Sequence, residues 1–119
     1  MIRRSGQVVA PGAYCFPGGG IEPGESEPAA LIRELREELG VAIRPIRRLW
    51  ESTTPWGVTL GWWQSELDAN APIRPNPAEV ESYAWCTLEE LVNLPELLPT
   101  NRRFLEALAA GQIQLGSAI

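Results

Sequence analysis

The chain has 119 residues, 45% hydrophobic and 21% charged, with a formal net charge of -5. This describes one globular domain with a modest core. It excludes a bilayer-spanning helix, because no apolar run is long enough, and it argues against a nucleic-acid-binding surface, which needs a basic stripe.

The negative charge is local. Residues 22–38 hold Glu22, Glu25, Glu27, Glu34, Glu37 and Glu38 against Arg33 and Arg36, a balance of -4, so the rest of the chain contributes -1. A local cation site accounts for this better than general acidity. All 10 basic residues are arginine and there is no histidine. Any general base is then a carboxylate, a cysteine, a tyrosine or a water on a metal. Cys15 and Cys86 lie far apart without metal-ligand spacing and read as two reduced, buried thiols. The opening residues lack the apolar segment of a signal peptide, and the expectation is a cytoplasmic protein with no membrane contact.

In chain order, Met1 to Arg4 and Gln7 to Ala10 read as short strand pieces around a Ser5-Gly6 turn. Ala13 to Phe16 is a strand that runs into the glycine loop "PGGG". Pro28 to Leu39 is a helix: Ser26 or Glu27 caps it, Pro28 suits its first turn, and Gly40 suits a left-handed terminating position. "VAIRPIRRLWES" is a strand interrupted at Pro45, and Gly57 to Asp68 is a second long strand. A proline-rich loop leads to a strand over Val80 to Cys86. Thr87 and Glu90 form a capping box for a short helix over Leu88 to Asn93. A last helix spans Asn101 to Ala110 and stops at Gly111. Strands around a central helix, with another helix closing the chain, make a mixed sheet with helices against it, α+β or α/β in type.

On a helical wheel Glu34, Glu37 and Glu38 fall within about 100° of one another, and Ile32, Leu35 and Leu39 form an adjoining apolar stripe. Like charges at these spacings weaken a helix by a few tenths of a kcal/mol per pair. A hard divalent cation removes that penalty; a solvated acidic face is the other reading. The glycines ahead of the helix let backbone approach a ligand closely.

Gly19, five residues, Glu25, seven residues, then Arg33-Glu34-Leu35-Arg36-Glu37-Glu38-Leu39-Gly40-Val41 is similar to the signature of the Nudix hydrolases, with every fixed position matched. The resemblance implies an α/β/α sandwich with a mixed sheet. It also implies Mg²⁺-dependent (or Mn²⁺-dependent) hydrolysis of a pyrophosphate bond in a nucleoside diphosphate linked to another moiety. Carried onto this chain, Glu37 and Glu38 are metal ligands and Glu34 is a further ligand or the general base. The Gly18 carbonyl is a backbone ligand, and Glu25 with Arg33 is a structural pair that orients loop and helix. Leu35, Leu39 and Val41 anchor the helix to the sheet. Glu79 is the candidate for a further loop carboxylate, with Glu81 as the weaker alternative.

Of the five tryptophans, Trp56 in "TPWG" is the candidate for substrate contact by stacking. Trp62 and Trp63 point to opposite faces of a strand, and Trp85 reads as core. Arg3, Arg4, Arg47 and Arg48 are candidates for holding the diphosphate.

Only 16 residues precede Pro17, fewer than the resemblance implies, so its first N-terminal strand is expected to be missing or shortened. An unpaired strand edge would follow, and with it a homodimer. The expected substrate is a small nucleotide such as a nucleoside or deoxynucleoside triphosphate, with no nucleic-acid polymer as partner. The competing reading is a catalytically silent Nudix-like domain that binds nucleotides or regulates. Such domains usually lose the motif glutamates that this chain retains.

Overall fold

The computed structural model describes residues 1–68 and 70–115. Five strands and three helices follow in the order β1 (Ile2–Arg4), β2 (Tyr14–Cys15), α1 (Glu27–Leu39), β3 (Ile43–Thr53), β4 (Thr59–Leu67), β5 (Val80–Tyr83), α2 (Leu88–Val92) and α3 (Pro99–Ala109). They form two antiparallel sheets, β2-β1-β5 and β3-β4. A single parallel bridge, Tyr14 to Leu97, adds the mixed character. The fold class is α+β.

Two apolar clusters flank the sheets. On one side Leu35 and Leu39 of α1 pack with Ile2, Cys15, Val41 and Val80, joined by Ile43 and Leu67. On the other, Phe104 and Leu105 of α3 pack with Leu91, Leu97 and Ile113, joined by Phe16, Trp50 and Trp62. Strands β3 and β4 thus lend residues to both clusters, which places the helices on opposite faces. Trp62 stacks on Phe104 with ring centroids 4.7 Å apart, while Trp63 of the opposite parity donates its indole N–H to Glu27.

Several local expectations need correction. Gln7 to Ala10 is not a strand: Arg4 N–H bonds the Ala13 carbonyl and Gly12 N–H the Arg4 carbonyl, so Ser5 to Ala13 is a loop closing the β1–β2 hairpin. Ala10 takes a left-handed φ of 54° within it. Pro45 does not interrupt β3. The missing N–H is absorbed by a register shift between Pro45 and Arg47. Strand β5 ends at Tyr83, with Ala84 still exchanging bonds with Met1, and Trp85 beyond it is 75% exposed rather than in the core. On α1, Leu31 rather than Ile32 packs on the core cluster. The Thr87–Glu90 capping box is present in both directions.

Strand β1 is not an open edge, since β2 and β5 flank it. A groove runs beside the sheets. It has a volume of about 980 Å³ and is lined along one side by 58–67 and along another by Tyr83, Ala84 and Trp85. At one end it reaches the glycine loop 18–20.

Candidate active site

Helix α1 begins where the Ser26 hydroxyl accepts the Ala29 N–H, and Pro28 fits because a first-turn residue needs no N–H partner. It ends at Gly40, left-handed at φ 64°. The loop ahead of β5 seals this end: Arg74 N–H donates to the Leu39 carbonyl at 2.7 Å and Asn76 N–H to the Glu38 carbonyl at 2.8 Å. These bonds satisfy carbonyls that a helix end leaves open, and they bring Glu79 beside Glu38.

Arg33 organises the glycine loop. Its guanidinium makes a two-pronged pair with Glu25, Nε to Oε2 at 2.8 Å and Nη2 to Oε1 at 2.9 Å. Nη2 also donates to the Gly20 carbonyl and Nη1 to Glu34 at 2.9 Å. Glu37 is half exposed and sits 3.3 Å from the same nitrogen. The Arg33 guanidinium, with help from the Glu22 N–H, holds the Glu25 carboxyl down at about 2. A Cβ on Gly19 would run into the carboxyl end of the Glu34 side chain.

Glu38 behaves differently. Its side chain is buried, and one oxygen accepts the Gly18 N–H at 2.9 Å. Burial pushes its carboxyl up to about 7, and the charges of Glu34 and Glu79 add to the rise. The Gly18 N–H and, more weakly, Arg4 pull the other way. Oε2 of Glu79 is a buried oxygen with no hydrogen-bond partner.

The three helix carboxylates therefore do not share one open face. Arg33 reaches round to Glu34 and Glu37, while Glu38 leans into the sheet, and among the described residues no three acidic, cysteine or histidine side chains gather in a ready cation cage. Gly18 meets Glu38 through its N–H. Glu81 pairs with Arg3 at 3.2 Å instead of joining the acids. Trp56 is 73% exposed in the β3–β4 turn and does not line the groove.

Among the arginines, Arg3 is engaged by Glu81 and Glu96, and Arg48 by Glu27 and Glu51. Arg47 is exposed. Arg4 lies in the groove wall with Nη1 3.8 Å from the Cys15 sulfur. Both thiols are free, Cys15 buried and Cys86 half-buried. Sequence reasoning missed Asn101. It is buried in the first turn of α3, and its Oδ1 accepts the Phe16 N–H at 2.7 Å, tying the start of the glycine loop to the far helix. No local pattern signals a contact 85 residues apart.

The NUDIX domain family model matches residues 1–108. The chain belongs to the Nudix hydrolase family. Its Nudix relatives include the NAD-capped RNA hydrolase NudC of Deinococcus radiodurans, 33% identical over 101 residues, which cover 85% of this chain and 36% of that protein. The nucleoside triphosphatase NudI of Escherichia coli is 34% identical over 103 residues, covering 71% of this chain and 69% of that one. The chain thus spans little more than a third of the NudC proteins it matches. Among solved structures, the MutT protein of Methanosarcina mazei superposes with a TM-score of 0.78 at 23% identity, covering 93% of this chain and 82% of that one. The Escherichia coli ORF135 protein gives 0.71 at 29%, covering 93% and 79%. The Nudix fold is the shared element. Members of the family generally work with a divalent metal on nucleoside diphosphate derivatives.

Proposed function

We propose that this Nudix domain hydrolyses the pyrophosphate bond of a small nucleotide with Mg²⁺ as its cation, Mn²⁺ substituting. The observation that carries this reading is the pair Glu38 and Glu79. One is a buried carboxyl pushed to about 7 and the other keeps an orphaned buried oxygen. A buried carboxyl that Arg4 offsets only weakly, beside a carboxylate oxygen with no hydrogen-bond partner, fits a hard, oxygen-seeking cation.

Glu38 and Glu79 are the ligands in this reading, with Glu37 completing the set on release from Arg33 and the Gly18 carbonyl as backbone donor. When bound, the cation neutralises the diphosphate and eases deprotonation of the attacking water. Glu34 receives the proton: Oε1 is oriented by Arg33, which leaves Oε2 for the water. Water oxygen forms the new bond to phosphorus, the bridging P–O bond breaks, and the leaving phosphate departs with the electron pair. Arg33, held by Glu25, keeps base and loop in register, and Arg4 supplies positive charge beside the reacting phosphates. Most of the rate gain is positioning and charge stabilisation.

A nucleoside triphosphate cut to monophosphate and pyrophosphate is the first substrate to test. The NudC relatives make a dinucleotide such as NAD, free or as an RNA cap, the second. A hydrolysis screen over nucleoside triphosphates, nucleotide sugars, dinucleoside polyphosphates and NAD, with Mg²⁺ or chelator, tests the reading. Metal-dependent turnover should fall by orders of magnitude in Glu37→Gln and Glu38→Gln. Turnover that survives both substitutions would remove these ligands, and no turnover on any substrate would leave a nucleotide-binding module.

A further inference from the structure

Among the described residues, the buried polar or charged side chains are Ser5, Glu38, Thr54 and Asn101. Glu38 belongs to the site, Thr54 closes the β3–β4 turn by accepting the Val58 N–H, and Asn101 holds Phe16. Ser5 has no such assignment, and serine is mostly an exposed residue. We propose that its hydroxyl is a positioning group for the Glu79 carboxylate, and through it for the cation. This rests on the reading of Glu79 as a metal ligand and names the residue that holds that ligand in place.

The hydrogen bonds around Glu79 point to this role. Two peptide planes meet at its Cα, and each is held at both ends. In the plane before it, the Ser5 hydroxyl donates to the Ala78 carbonyl at 2.8 Å and the Glu79 N–H donates to the Asn76 carbonyl at 3.0 Å. In the plane after it, the Ser5 N–H donates to the Glu79 carbonyl at 3.0 Å and the Val80 N–H donates to the Asn76 carbonyl at 2.8 Å. Peptide planes are rigid, so holding both fixes φ and ψ of Glu79 and with them the direction of its Cβ. Its Oε2 has no hydrogen-bond partner, so no bond of its own steers that oxygen and its placement falls to the backbone. Asn76 is itself tied to α1 by its N–H on the Glu38 carbonyl, so the clamp sets Glu79 relative to Glu38. Of these bonds, the one from the Ser5 hydroxyl is made by a side chain and the rest are backbone to backbone.

The sheet register brings Ser5 to this place. Ile2 and Arg3 of β1 face Tyr83 and Ser82 of β5, but Arg4 faces Val80, so Glu81 is passed over. Unbroken pairing would set Ser5 against Val80; the shift sets it against Glu79. Irregularities of this kind re-aim side chains beside functional sites. The simpler role for the hydroxyl is closure of the β1–β2 loop, because it also accepts the Gln7 N–H at 3.2 Å. Gln7 is exposed, so water can serve that N–H, whereas the shorter bond goes to Ala78. Removing a group that orients a metal ligand costs roughly 10- to 100-fold in metal affinity.

The test is Mn²⁺ binding followed by electron paramagnetic resonance, without substrate or turnover. It compares the wild type, Ser5→Ala, Glu79→Gln and the double variant. The proposal expects Ser5→Ala to bind Mn²⁺ roughly tenfold more weakly than the wild type. Once residue 79 is glutamine, the alanine should add nothing, because the clamp then holds no ligand. If the alanine variant does not fold, Ser5→Cys gives the same comparison, since its thiol is a weak donor of similar size. Wild-type affinity in the folded Ser5 variant overturns the proposal. So does an equal loss in both backgrounds, which would be a general loosening of the fold rather than an effect on Glu79. Either result, with Glu79→Gln itself weakened, removes the positioning role and leaves the metal reading standing. Wild-type affinity in Glu79→Gln takes Glu79 out of the metal set and overturns the ligand reading and this inference together.

Discussion

Replacing Glu38 with glutamine separates what this side chain does for the fold from what it does for the reaction. Free of metal, the folded protein holds the Glu38 proton up to about pH 7, whereas an unfolded glutamate releases it near pH 4.5. Folding therefore takes up a proton between these values, and stability falls as pH rises through that window. Ionising a carboxyl held at about 7 rather than 4.5 costs about 3 kcal/mol, or roughly 10 °C in Tm for a domain of this size. Glutamine has nearly the same shape, keeps an oxygen for the Gly18 N–H and cannot ionise. In chelator, Glu38→Gln should match the wild type at pH 5 and exceed it by up to about 10 °C at pH 8. Mg²⁺ at pH 8 should restore much of the wild-type deficit and leave the variant unmoved. The same variant should lose hydrolysis by at least a hundredfold. Calorimetry at the two pH values, with and without chelator, measures all of this. A variant destabilised equally at both pH values would refute the argument, since burial would then impose no charge penalty at Glu38.

Glu79→Gln removes the charge beside the orphaned oxygen, and the Mg²⁺ concentration for half-maximal turnover should rise 10- to 100-fold, read by metal titration of activity. Arg33→Lys keeps the charge but loses the two-pronged bond to Glu25 and the bond to the Gly20 carbonyl. kcat should fall at least tenfold, while binding of Mg²⁺ by calorimetry changes less. Gly19→Ala drives a Cβ into the carboxyl end of Glu34. The clash is with the end of a flexible side chain, so Tm should move by less than about 3 °C while turnover drops more than tenfold. A large loss of Tm there would mean that Glu34 cannot swing aside.

Helix α1 was legible because its signals are local. Ser26, Pro28 and Gly40 mark its ends through bonds within a turn or two, and the spacing of Leu35 and Leu39 marks its buried side. The Glu25–Arg33 pairing was legible only through the family motif, because eight residues separate its members across a loop. What could not be read is what depends on distant chain. Glu38 shares the stripe of Glu34 and Glu37, but the loop carrying Asn76 and Glu79 covers it. Trp85 looked like core by residue type, yet it follows a strand that ends two residues earlier. Asn101 acquires its role from Phe16, at the other end of the molecule's sequence.

The division of the acidic cluster follows from where arginine can reach. Glu22, Glu25, Glu34 and Glu37 all lie within 4 Å of the one guanidinium of Arg33, and Glu27 is held by Arg48 and Trp63. Arg33 cannot serve Glu38, which lies on the far side of the helix under the Asn76 loop. Arg4 offsets it only weakly, with Nε and Nη1 bonded to Val9 and Cys15. Negative charge is thus neutralised where it supports the loop and only weakly compensated at Glu38, beside the unpartnered oxygen of Glu79. An uncompensated buried carboxylate costs stability, and packing alone would favour a leucine at position 38. On the proposed reading the penalty is offset when a cation arrives, so a residue that costs the free fold stability is also one that favours the cation-bound state.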